Sequence, residues 1–138
     1  METEGLIVAL KRILAAIRLR QNVPVEELLG SEPALPVNSK YAVYRIAQQA
    51  LYQVSGHALA SAIMLRLEQE EQMVVLEVRA AGTAFDEPGW WLSRPGLQII
   101  RKYIDQLDAD LSIDEDSGHG TTLSVRFQLP GATAPAAN

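Results

Sequence analysis

Apolar positions along the chain follow two periods, and the change from one to the other marks out the elements. Leu6, Leu10, Ile13, Leu14 and Ile17 recur at helical spacing with Lys11, Arg12 and Arg18 between them, which predicts a helix over residues 4–20. Asn22-Val23-Pro24 breaks it, and residues 23–30, "VPVEELLG", read as a short strand. Residues 31–39 are loop, with two prolines and then Asn38 and Ser39 as capping candidates. Over residues 40–56 Val43, Ile46, Ala47, Ala50, Leu51 and Val54 make one apolar helical face, and Arg45, Gln49 and Gln53, four apart, make a polar stripe.

The period then drops to two. Ile63, Leu65 and Leu67 share one face of a strand, as do Val74, Leu76, Val78 and Ala80, with the charged turn "EQEEQ" between the two strands. Residues 81–95 form a Gly/Pro-containing loop whose length points to function. Leu97, Ile100, Tyr103, Ile104 and Leu107 predict a helix over residues 96–107. "DLSID" and "TTLSVRFQLP" are strands around the turn "EDSGHG"; in the second, Leu123, Val125, Phe127 and Leu129 face inward. Hairpins mixed with helices predict an α+β two-layer sandwich, with a mixed, mostly antiparallel sheet and helices on one face. The expected organisation is a single domain over residues 1–130, made of an N-terminal helix (1–20) and a sandwich (21–130). Residues 131–138, "ATAPAAN" and its preceding glycine, read as a disordered tail.

Composition narrows the function classes. A chain of 138 residues is long enough for one buried core, and 48% hydrophobic with 21% charged residues is ordinary for a globular protein. A net charge of −5 argues against nucleic acid as the main partner. With no cysteine, disulfides and thiolate metal sites are excluded. No stretch is long and apolar enough to cross a bilayer and no signal-peptide pattern opens the chain, so the default location is cytoplasmic.

Three groups of residues then resemble one family in register. "VYRIAQQALYQVSGHA" is similar to the N-box helix of bacterial sensor histidine kinases. "RPGLQIIRKYIDQLDADLSIDEDSGHGTTLSVRFQLP" resembles the last third of the same ATPase domain, and "NVPVE…LP" fits the strand and linker before the N box. The resemblance covers residues 5–130 and names the histidine-kinase-like ATPase superfamily, GHKL, which implies an α/β sandwich holding ATP and Mg²⁺ under a mobile lid.

Carried over by position, the resemblance places Gln49 where the family has its catalytic Glu and Gln53 where it has the Asn that holds Mg²⁺. In the first glycine box Ala80 stands at the adenine-binding Asp position, Gly82 remains, and Ala84 replaces the second Gly. Gly96 and Leu97 match the helix-opening pair near the lid, and Gly118, Gly120 and Thr121 match the last box. An amide has no useful pKa for proton transfer, so Gln49 is no general base. Gln53 is one methylene longer than Asn, which shifts its oxygen against the strict octahedron Mg²⁺ demands. Ala80 accepts no hydrogen bond from adenine. The first helix holds no histidine to receive a phosphoryl group.

These departures imply a degenerate domain with no catalytic residue and no metal ligand, acting as a regulatory or interaction module. Its expected partner is an active kinase, a response regulator or a second copy through the N-terminal helix. The alternative is an active sensor histidine kinase catalytic domain, binding ATP and Mg²⁺ through an atypical site. Individual residues also keep plainer readings. Gln49 and Gln53 fit a solvated amide face, and His57 fits a helix C-terminal cap. Gly118, Gly120 and Thr121 fit a tight hairpin turn. Trp90 and Trp91, in the lid-equivalent loop, either pack into the emptied pocket or form a partner contact. The first helix either covers the sandwich or pairs two copies.

Overall fold

A computed structural model of the chain describes residues 5–57, 60–82, 85, 89–116 and 120–129. Helix α1 (Leu6–Gln21) leads to β1 (Val25–Leu29), then α2 (Val37–Tyr52), which continues into a single π turn (Gln53–His57). The hairpin β2 (Ala62–Glu70) and β3 (Met73–Ala81) follows. A 3₁₀ turn (Trp90–Ser93), α3 (Pro95–Leu107), β4 (Asp110–Asp116) and β5 (Gly120–Gln128) complete the order. The five strands lie in the order β1-β2-β3-β5-β4, with β1 parallel to β2 and every other pair antiparallel. The α+β expectation holds.

The inner face of the sheet is the one the alternation marks. Leu65, Leu67, Leu76, Val78, Leu123 and Val125 are buried there and join α1, α2 and α3 in one core. The other face carries paired charge: the Arg66 guanidinium lies 3.0 Å from Glu77 and 2.8 Å from Glu68. Helices α2 and α3 run antiparallel. Tyr41 meets Tyr103 edge-on at one end, with ring centroids 6.2 Å apart, and Gln53 meets Gly96 at the other.

Asn38 and Ser39 are not caps. Pro36, with φ of −61° and ψ of 159°, is the N-cap of α2, and its carbonyl accepts the Lys40 N–H at 3.0 Å. The fixed φ of proline sets the helix entry earlier than the polar residues suggest. Helix α1 covers the sandwich: Leu6, Leu10, Leu14 and Ile17 are all inside the core. The residues expected to serve a dimer are therefore used within the chain, and what α1 offers outward is Leu19, 88% exposed, and Val8. Its start is held by a distant side chain. The Glu32 carboxylate accepts the backbone N–H groups of Leu6 at 2.8 Å and Ile7 at 3.0 Å and pairs with Lys40 at 2.8 Å. The tail expected to be disordered lies outside the described residues, as do Ala84 and Gly118.

Candidate functional site

The ends of α2 and β3, the turn before α3, the start of α3 and the start of β5 converge at one end of the sandwich. Register brings the two glycine boxes side by side, because Ala80 pairs with Thr121 and Ala81 with Gly120. Gly82 follows with φ of 151°, a conformation that a residue with a Cβ adopts only under strain. At Gly120 an added Cβ would sit 3.0 Å from the Ala80 carbonyl oxygen, so strand pairing alone accounts for a glycine there.

The space between these elements is filled by aromatic rings. Phe85, Trp90 and Trp91 are each at most 3% exposed. Phe85 and Trp90 meet edge-on with centroids 4.8 Å apart, and Trp90 and Trp91 do the same at 4.9 Å. A buried indole needs a partner for its N–H. Trp91 Nε1 donates to Thr121 Oγ1 at 3.1 Å, across 30 residues of chain. The Arg94 guanidinium caps the cluster, 5.0 Å from the Trp90 ring centroid. Glu115 fixes the approach by accepting the Gly89 N–H at 2.9 Å. Both tryptophans are inside, so the partner-contact alternative has no exposed indole to use.

Gln53 is also inside, 4% exposed, against the expectation of a solvated amide face. The reason is Gly96: a Cβ there would lie 2.7 Å from Gln53 Nε2 and 2.9 Å from Cγ, so the amide occupies room a glycine leaves. Among the described residues, Gln53 Oε1 has no hydrogen-bond partner, nor does the buried Ser55 hydroxyl in the same π turn. Gln49, one turn earlier, is half-buried. Ala80 is buried under the cluster and Leu97 is buried at the start of α3. His57 ends the π turn.

The structure thus gathers Gln53, Ala80, Gly82, Gly96, Leu97, Gly120 and Thr121 with both tryptophans, and leaves Gln49 at the margin. What it gathers is amide, hydroxyl and aromatic: groups that pack and hydrogen-bond but do not transfer a proton near neutral pH. Among the described residues, no three His, Cys, Asp or Glu side chains come together as a metal site. Phe85, Trp90 and Trp91 pack where the two glycine boxes meet, and the Gln53 amide lies against Gly96 through Nε2, Cγ and Cδ. Sequence reasoning missed Arg94 and Glu115, which no periodicity distinguishes from surface charge.

No family model matches the chain. It is 24% identical over 126 residues to the signal transduction histidine-protein kinase/phosphatase DegS of Brevibacillus brevis, covering 91% of this chain and 33% of that protein. It is 30% identical over 94 residues to the histidine-protein kinase/phosphatase UhpB of Salmonella typhimurium, covering 68% of this chain and 18% of that protein. The chain therefore spans a third or less of these relatives. Among solved structures, the histidine kinase domain of the Erythrobacter litoralis EL346 blue-light activated kinase superimposes with a TM-score of 0.73 at 20% identity. That match covers 91% of this chain and 61% of that one. The catalytic domain of the histidine kinase ThkA matches at 0.64 and 13% identity, over 91% of this chain and 94% of that one. The fold is that of histidine kinase ATPase domains, and the relatives by sequence are sensor histidine kinases. Among the described residues no helix is long and apolar enough to cross a membrane.

Proposed function

We propose that this chain is a histidine-kinase-like ATPase domain of two-component signalling that acts without catalysis, as a regulatory or interaction module. Kinship with sensor kinases supports the signalling context. One observation carries the loss of catalysis: Phe85, Trp90 and Trp91 occupy the end of the sandwich where the glycine boxes meet, locked by the Trp91–Thr121 hydrogen bond. Gln49 and Gln53 at the family's Glu and Asn positions point the same way. The partner on this reading is an active kinase or a response regulator.

An active, atypical ATP-binding catalytic domain is the second reading. It draws on Gly82, Gly96 and Leu97, which stand where the resemblance expects them, and on the kinship itself.

Thermal unfolding with and without Mg-ATP separates the two. A ligand present at a hundred times its Kd stabilises the native state by about 2.7 kcal/mol, several degrees in Tm for a domain of this size. We expect no saturable rise and no change in tryptophan emission. A clear, saturable rise sinks the non-catalytic reading.

A further inference from the structure

Charge is sorted between the layers. Residues 6–21, 37–57 and 90–107, which hold the helices, carry nine of the chain's 12 cations and only one of its 17 acids, Asp105. Three of those nine, Arg94, Arg101 and Lys102, line one open cleft of about 820 Å³ along the solvent side of α3, and Asp105 lines it too, so the cleft keeps a net positive charge of three cations against one acid. None of the three is paired with a carboxylate among the described residues. Arg94 is set in place before any partner arrives. It stacks on Trp90, its Nη2 donates to Ser93 Oγ at 3.1 Å, and its Nε is buried with no partner among the described residues. Leu92, at the same cleft, is 73% exposed.

We propose that this cleft docks an acidic, leucine-bearing segment of a partner protein. Its carboxylates would lie on Arg94, Arg101 and Lys102, and an apolar side chain on Leu92 and Pro95. The planar fork of arginine matches a carboxylate in two hydrogen bonds, and a stacked guanidinium loses less freedom in making them. The exposed leucine gives such a contact its apolar centre. An extended polyanion fits less well. Sixteen acids lie outside the helical spans, and a duplex or a bilayer reaching past the cleft meets their field. A short segment stays within the roughly 8 Å over which the cleft cations act at physiological salt. The proposal stands whether or not the domain binds nucleotide, so the Mg-ATP experiment does not decide it.

The test is fluorescence anisotropy of a labelled peptide of about ten alternating Glu and Leu pairs at about 0.15 M salt. The expected result is saturable binding that Arg101→Glu/Lys102→Glu weakens at least about tenfold. The control Lys11→Glu/Arg20→Glu, which changes net charge equally on α1, should weaken it less than about twofold. Both altered pairs are exposed; melting curves confirm folding, and Arg101→Gln/Lys102→Gln replaces the reversal if it fails to fold. Absence of binding overturns the proposal, as does an equal loss from the α1 control. So do phosphatidylserine vesicles or duplex DNA bound as tightly with the same sensitivity, or self-association of the chain that the reversal dissolves.

Discussion

The first turns of α1 and α3 both lack a local side-chain cap and an acidic residue. A helix start leaves backbone N–H groups without intrahelical partners, and the two starts meet this differently. At α1 the answer is charge: Glu32, 26 residues away from Leu6, brings a half-exposed carboxylate to two N–H groups and holds it with Lys40. At α3 the need is smaller, because Pro95 has no N–H and the Leu97 N–H donates to the Arg94 carbonyl at 3.1 Å, and the start is held instead by shape: Gly96 closes on the Gln53 amide and Arg94 closes on the buried aromatic cluster. A start held by shape should respond to volume and ignore pH. A start held by charge should do the reverse. The difference matters for function because the start of α3 is also where the resemblance puts the nucleotide.

The largest effect should come from removing a ring. Trp91→Ala deletes a side chain 1% exposed and leaves the Thr121 hydroxyl without its donor, so a loss of about 3–5 kcal/mol is expected in urea denaturation. A loss under about 1 kcal/mol would mean that the cluster is loosely seated and the space available. That result would break both the comparison and the non-catalytic reading.

Gly96→Ala sharpens it. The new methyl clashes with an amide that, at 4% exposure, has nowhere to swing. Overpacking costs about 1–3 kcal/mol, set against up to about 1 kcal/mol that alanine gains over glycine in a helix. Pairing it with Gln53→Ala should remove most of the clash, a coupling of about 0.5–3 kcal/mol in a double-mutant cycle. Additive losses would show that Gln53 does not hold the start of α3.

What the sequence shows of this divides along the same line. Strand faces such as Leu123-Val125-Phe127 and the apolar stripe of α2 follow from period two and period 3.6, because one-sided burial imposes those periods. The N box and glycine boxes are visible as spacing. The state of the site is not. Gln53 reads as solvated because its stripe is polar, and only a glycine on another helix makes room to bury it. The bond from Trp91 to Thr121 joins a loop to a strand with no repeat to announce it. Glu32 looks like one more loop acid beside two prolines. Contacts made once, between residues far apart in the chain, leave no periodic trace.

The smallest effect belongs to Glu32 and is the one that depends on pH. Partial burial pushes its carboxyl up, but the hydrogen bonds from Ile7, Lys40 and Leu6 together outweigh this and hold it below its ordinary value of 4.5. A carboxyl held lower in the folded than in the unfolded state favours folding once ionised. Its contribution is present in full above the unfolded value and is lost as pH falls through the lower, folded one. Glu32→Gln keeps an acceptor and removes the charge. At neutral pH it should cost about 0.5–1 kcal/mol, in line with one charge at a helix start and one partly exposed ion pair. The gap between the two proteins should hold steady down to about pH 5 and close below it. In Gly96→Ala the corresponding gap should not change over that range, because among the described residues the atoms nearest Gly96 belong to the Gln53 amide, which does not titrate. Hydrogen exchange at Leu6 and Ile7 localises the effect: their amides should lose protection in Glu32→Gln, with those at the start of α3 unaffected. Equal loss at both helix starts would mean that the two are coupled through the core, and the contrast between charge and shape would fall.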